Sequence, residues 1–97
     1  MTEKLPPLHP GGVLREEFIV PMGLSAGALA KACHVPRTRI ERIAREEIGI
    51  TPDTALRLAK FFGMSAEFWT RMQADYDLEM ARRELADEIA TIEARAA

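Results

Sequence analysis

Glycine and proline punctuate residues 6–63 at short intervals, and nothing in the chain alternates convincingly as a strand would, so the segments read as helices packed on one another. The Pro-Gly-Gly at 10–12 marks a turn before Val13, Leu14 and Phe18, whose spacing makes one helical face. Pro21 and Gly23 stop that helix. Ser25 is placed to cap AGALAKACHV, which turns Leu29, Ala30 and Cys33 to one side. Pro36 suits the first turn of the next helix, where a missing N–H costs nothing, and Ile40, Ile43 and Ala44 of that helix face inward. Gly49 breaks it. Thr51 then caps TPDTALRLAKFFG, with Leu56, Ala59 and Phe62 inward and Gly63 as the stop, and Ser65 opens a last segment that runs to the C-terminus. The expectation is an all-α fold of five helices over residues 1–97, read as one domain, with Pro6 and Pro7 keeping the first eight residues extended and 65–97 forming a long C-terminal helix.

A chain of 97 residues with 47% hydrophobic composition can bury one thin core, which leaves room for a second copy to complete it. No apolar run reaches the length of a membrane span, and MTEKLPPLHP lacks the apolar stretch of a signal peptide. The single cysteine, Cys33, has no second thiol for a disulfide or a common zinc site. A cytoplasmic protein with no membrane partner is expected.

The formal charge of −2 is unevenly spread. Residues 1–63 hold nine basic and seven acidic side chains, whereas residues 64–97 hold four and eight. Positive charge concentrates in VPRTRIERIAR at 35–45, with four arginines and one acid. At about 100° per residue, a helix that buries Ile40, Ile43 and Ala44 points Thr38, Arg42 and Arg45 outward, with Arg37 and Arg39 on the flanks. Exposed arginines are often only a solvated face, and Glu41 is spaced to pair with Arg37 or Arg45. The context favours more. A short helix, a tight link at 33–35 and a second short helix with outward Arg and Thr form the plan by which a helix enters a DNA major groove.

Catalysis finds no support in the residues. Cys33 and His34 are adjacent, so on a helix they project about 100° apart, and no third group orients them. Cys33 is read as a small core residue and His9 as a residue of the N-terminal stretch without companion ligands. The glycines serve turns and helix ends, not a phosphate loop. No enzyme activity, cofactor or metal is expected, and Phe61, Phe62, Phe68 and Trp69 are read as core.

LSAGALAKACHVPRTRIERI resembles the helix-turn-helix of the Xre, lambda-repressor-like family, and the longer run from HPGGVLREEFIVPMGLS through GITPDTALRLAKFFGMSAEFWTRMQADYDL resembles the HigA-type antitoxins of toxin–antitoxin modules. The resemblance covers about residues 9–78 and rests on several segments in order. It implies a homodimer that binds a palindromic double-stranded operator upstream of its own genes and sequesters a small basic RelE-like toxin that cleaves messenger RNA. It also implies that Arg37, Thr38, Arg39 and Arg42 contact DNA. Arginine can donate two parallel hydrogen bonds to guanine, Thr38 can offer its hydroxyl or methyl, and Ser25 at a helix N-terminus suits a phosphate. The chain departs from the family pattern at three places. Ala26 stands where many relatives carry a DNA-contacting glutamine, His34 where the turn commonly has glycine, and Glu46-Glu47-Ile48 where a basic glycine-containing loop is common. The two acids either face away from the DNA backbone or weaken binding.

The C-terminal segment carries two apolar faces. Phe68, Trp69, Met72 and Tyr76 share one, expected to pack on the core; Leu78, Ala81, Leu85, Ile89 and Ile92 make a second, turned roughly 160 to 200° away. A dimer partner or the toxin would cover the second face, and a kink at 75–77 would blur the two. The reading reached is a dimeric autorepressor and antitoxin. The alternatives are a stand-alone Xre-type repressor without a toxin and a protein-interaction module that no longer binds DNA.

Overall fold

The computed structural model describes residues 7–95, and among these every regular element is helical. Helix α1 spans Pro10–Val13 and continues into a π-helical turn, Leu14–Ile19. Helices α2 (Ala26–Cys33), α3 (Arg37–Ala44) and α4 (Pro52–Phe62) follow, then α5 (Ala66–Glu84) and α6 (Ala86–Ala90).

The expected caps are present. Ser25, Thr51 and Ser65 each accept a backbone N–H three residues on, from Ala28 at 3.0 Å, Thr54 at 3.3 Å and Phe68 at 3.2 Å. Gly63 closes α4 in the left-handed conformation, φ 65°. At the N-terminus the expectation was incomplete. The Pro-Gly-Gly run is itself the first helical turn, with Pro10 at its start and His9 as its cap. His9 is buried, its Nδ1 accepts the Gly11 N–H at 2.9 Å, and its ring meets Tyr76 edge-on at 4.8 Å. The extension expected of the first eight residues lies outside the described residues up to residue 6; Pro7–His9 are non-helical.

The π-turn shifts the register of the first helix. Val20 N–H bonds to Arg15 O at 2.9 Å, five residues back, so Leu14 and Ile19 align on one side and both are buried. The other core residues are Leu29, Ala30 and Cys33 of α2, Ile40 and Ile43 of α3, Ile50, Ala55, Leu58 and Ala59, and Trp69 of α5. Trp69 stands fully buried against Phe18, with ring centroids 5.2 Å apart. On α4 two expectations fail: Leu56 is 64% and Phe61 40% exposed, because the face that packs on α5 and α2 is Thr54, Ala55, Leu58 and Ala59, and Leu56 lies about 200° from Leu58. Phe68 likewise sits at the rim of the core, edge-on to Trp69 at 5.0 Å.

Gly49 does not end α3. That helix stops at Ala44, and the chain turns at Glu46, a non-glycine residue at φ 63°. Gly49 instead lets α5 approach, since a Cβ there would stand 2.7 Å from Gln73 Oε1, which accepts the Ile50 N–H at 2.7 Å.

The tail is not one unbroken helix to the C-terminus. Helix α5 runs through 75–77 without a break, and the interruption falls at Leu85, φ −101° and ψ 9°, after which α6 ends at Ala90. Ile92 therefore lies beyond the last helix. Leu78, Leu85, Ile89 and Ile92 are between 44% and 65% exposed, and Ala81 is half-buried. The protein measures 52 × 32 × 21 Å with a radius of gyration of 16.5 Å, well above the roughly 13 Å of a compact 100-residue domain, because this tail projects from the core.

Candidate nucleic-acid interface

Helices α2 and α3 meet through a three-residue link whose geometry is fixed by His34. It adopts the left-handed conformation, φ 60° and ψ 45°, donates its backbone N–H to Lys31 O at 3.3 Å, and Val35 N–H closes on Ala30 O at 3.0 Å. Histidine occupies at some conformational cost a position that glycine takes freely. Pro36 caps α3, so Arg37 is its first helical residue. Ile40 and Ile43 anchor α3 in the core and thereby set the direction of every other side chain on it.

Arg37, Thr38, Arg42 and Arg45 are exposed, and Arg39 is half-buried on the flank facing α4. The start of α2 lies beside them, since a Cβ at Gly27 would stand 3.2 Å from Arg37 Cδ, and Ser25 is exposed at that end. All five residues expected to make one surface are thus on or next to α3, and Thr38 and Arg42, four residues apart, share its outward face. An exposed helix with this crest has the width to enter a major groove of about 12 Å, and guanidinium groups on it can donate to base edges or to phosphates.

Three of these arginines pair with acids, the first as its spacing suggested and the other two unread in the sequence. Arg37 Nε pairs with Glu41 Oε2 at 3.2 Å, Arg39 Nη1 with Asp53 Oδ1 at 3.0 Å, and Arg42 Nε with Glu47 Oε1 at 3.5 Å. The first was foreseeable from its i,i+4 spacing; the others join different elements. Asp53 also accepts from Arg57 Nε at 2.7 Å, and these two guanidinium groups, Arg57 foremost, hold its carboxyl below the usual carboxylate range. The two acids after α3 separate. Glu46 turns to Arg15 of the π-turn at 3.3 Å, and Arg15 also donates to the Ala44 carbonyl at the end of α3, whereas Glu47 stays beside Arg42.

Cys33 is buried, burial pushes its thiol pKa up, and its Sγ lies 3.7 Å from the Arg57 carbonyl. Among the described residues no group of three His, Cys, Asp or Glu side chains is placed to hold a metal ion, and no helix is long and apolar enough to cross a membrane.

Comparison with known proteins places these features in a wider set. The helix-turn-helix family model matches residues 14–69. Virulence-associated protein I of Dichelobacter nodosus is 57% identical over 81 residues, 84% of this chain and 75% of that protein. The structure of Pseudomonas aeruginosa antitoxin HigA with the higBA promoter superposes with a TM-score of 0.90 at 38% identity, covering 93% of this chain and 99% of that one. Antitoxin GraA in complex with its operator superposes with a TM-score of 0.90 at 39% identity, covering 100% and 99%.

Proposed function

This chain belongs to the HigA-type branch of the Xre helix-turn-helix family, and on that premise we propose that it is the antitoxin of a toxin–antitoxin module: a homodimer that binds its own operator DNA as an autorepressor and neutralises a small basic RelE-like toxin. The observation that carries the DNA half of this reading is the crest of α3, where Arg37, Thr38, Arg39 and Arg42 stand on a helix anchored from beneath by Ile40 and Ile43. Thr38, Arg39 and Arg42 reach base edges, Arg37 flanks the groove, and Ser25 meets a phosphate at the start of α2. With Ala26 at the family's glutamine position, sequence readout rests on α3.

Dimerisation uses the second apolar face of the tail, formed by Leu78, Ala81, Leu85, Ile89 and Ile92, which the core leaves uncovered. A two-fold dimer joined there presents its α3 helices to half-sites one DNA turn apart, about 34 Å, or a multiple of it, so the operator is an inverted repeat. The acidic residues 64–97 suit the basic toxin.

Two measurements test this reading. Titration of the upstream DNA of this gene should give salt-dependent binding with protection of two symmetric half-sites. Induction of the adjacent small basic reading frame should arrest growth, and co-expression of this chain should relieve the arrest. DNA binding without a toxic neighbour would make the protein a stand-alone repressor, and absence of binding would remove the autorepressor function.

A further inference from the structure

Arg39 differs from the other arginines of α3 in how it is held. Its side chain is 38% exposed, against 69% for Arg37 and 56% for Arg42, and its acid partner comes from another helix. Asp53 lies in the first turn of α4 and uses Oδ1 for both Arg39 Nη1 and Arg57 Nε, with Oδ2 at 3.5 Å from Arg57 Nη2. Arg57 in turn donates through Nη1 to the carbonyls of Cys33 at 3.0 Å and His34 at 3.3 Å, where α2 ends. A continuous chain of charge-assisted hydrogen bonds therefore runs from the link at the end of α2, through α4, to one guanidinium of α3.

Resting on the DNA-binding reading above, we propose that Asp53 is a positioning residue for sequence readout, fixing the Arg39 guanidinium before DNA arrives. A guanidinium on a flexible stem can satisfy itself on any phosphate. One whose Nη1 is held by a carboxylate keeps its remaining donors in one direction and loses less rotamer freedom on binding. The carboxylate also repels phosphates near it, which penalises non-specific contact by Arg39 more than contact with a base edge, where the negative charge is farther away. Arg57 ties this geometry to the turn carbonyls, so the orientation of Arg39 is set relative to α2 as well as to α3. Asp53 thus acts on discrimination and not on the gross affinity for duplex DNA.

The test compares Asp53→Asn, Arg39→Ala and the double variant, using the full chain, an operator panel with every base pair substituted in turn, and random-sequence DNA. Asp53→Asn should lower the ratio of operator to random-DNA affinity by roughly tenfold, relax preference at the same base pair as Arg39→Ala, and add nothing in the double variant. Asp53→Glu should restore part of the preference. A helix-capping role alone would instead lower the melting temperature, leave base preference intact and add to the effect of Arg39→Ala; that result, or an even loss of affinity across all sequences, overturns the proposal. Wild-type protein that binds no DNA would overturn the DNA-binding reading itself, a separate outcome read before any variant.

Discussion

Gly11 packs directly against the Ile43 carbonyl, so closely that a Cβ at position 11 would overlap the oxygen. Helix α1 therefore seats on the backbone of α3, and the obstacle is main chain that cannot rotate aside. Gly11→Ala is expected to destabilise the protein by about 1 to 3 kcal/mol or more, as overpacking against a fixed group does, and the measurement is chemical unfolding. The neighbouring Gly12, where a Cβ would meet the ends of the Glu46 side chain at 3.1 Å and the Arg15 side chain at 3.5 Å, should tolerate alanine much better.

Gln73 joins α5 to the segment before α4. Its Oε1 accepts the Ile50 N–H at 2.7 Å and its Nε2 donates to Asp77 at 2.9 Å. Gln73→Ala leaves that partly buried N–H without its acceptor, at a cost of about 1 to 3 kcal/mol. Hydrogen exchange at the Ile50 amide should accelerate in the variant before other amides do.

His9 makes stability depend on pH. Burial lowers its pKa below the ordinary 6.5, against the opposing pull of the Glu46 and Asp77 carboxylates, and Nδ1 can accept the Gly11 N–H only while unprotonated. The folded form favours the neutral ring, so its contribution is complete above 6.5 and declines as the pH falls from there through the lower folded value. Unfolding followed between pH 8 and pH 5, a window of about a unit and a half to either side of the ordinary histidine value, should show this loss, and His9→Asn should flatten it.

Arg42 and Glu47 test the crest of α3. Arg42→Ala is expected to weaken operator binding by about 1 to 3 kcal/mol with relaxed preference at one base pair. Glu47→Gln removes the acid beside Arg42 and should tighten binding at low salt, with the gain fading as salt rises. Because both side chains are largely exposed and 3.5 Å apart, neither change should move the melting temperature much.

Replacing Leu85 and Ile89 by Asp puts two charges on the uncovered face of the tail without touching Trp69 or Met72. The variant should remain folded, sediment as a monomer and lose operator binding, since burying an unpaired charge costs several kcal/mol. A variant that still dimerises and binds DNA but no longer neutralises the toxin would assign this face to the toxin.

The elements that were legible in sequence are those set by local chemistry. Ser25, Thr51 and Ser65 as caps, Gly63 as a stop, His34 in the left-handed turn and the buried face of Leu29, Ala30 and Cys33 all follow from side chains acting within a few residues. The misplacements have tertiary causes. Leu56 has the composition of a core residue but is exposed, and the buried His9 packs on Tyr76, which arrives from a distant helix. The acids at the crest of α3 were hidden for the same reason, because Asp53 and Glu47 reach their arginines across element ends where helical spacing has no meaning. The tail's break at Leu85 carries no glycine or proline to announce it.

The wide turn from Leu14 to Ile19 bears on how the chain tolerates a change of length. It holds one residue more than an α-helix needs between the same two buried side chains. A one-residue deletion within it can be absorbed by closing the turn to ordinary α-helical bonding, with Leu14 and the residue that replaces Ile19 still facing the core. The same deletion in the middle of α3 would rotate everything beyond it by about 100° and swing Ile43 out of register. Lineages of this fold that gain or lose a single codon should therefore do so between Leu14 and Ile19.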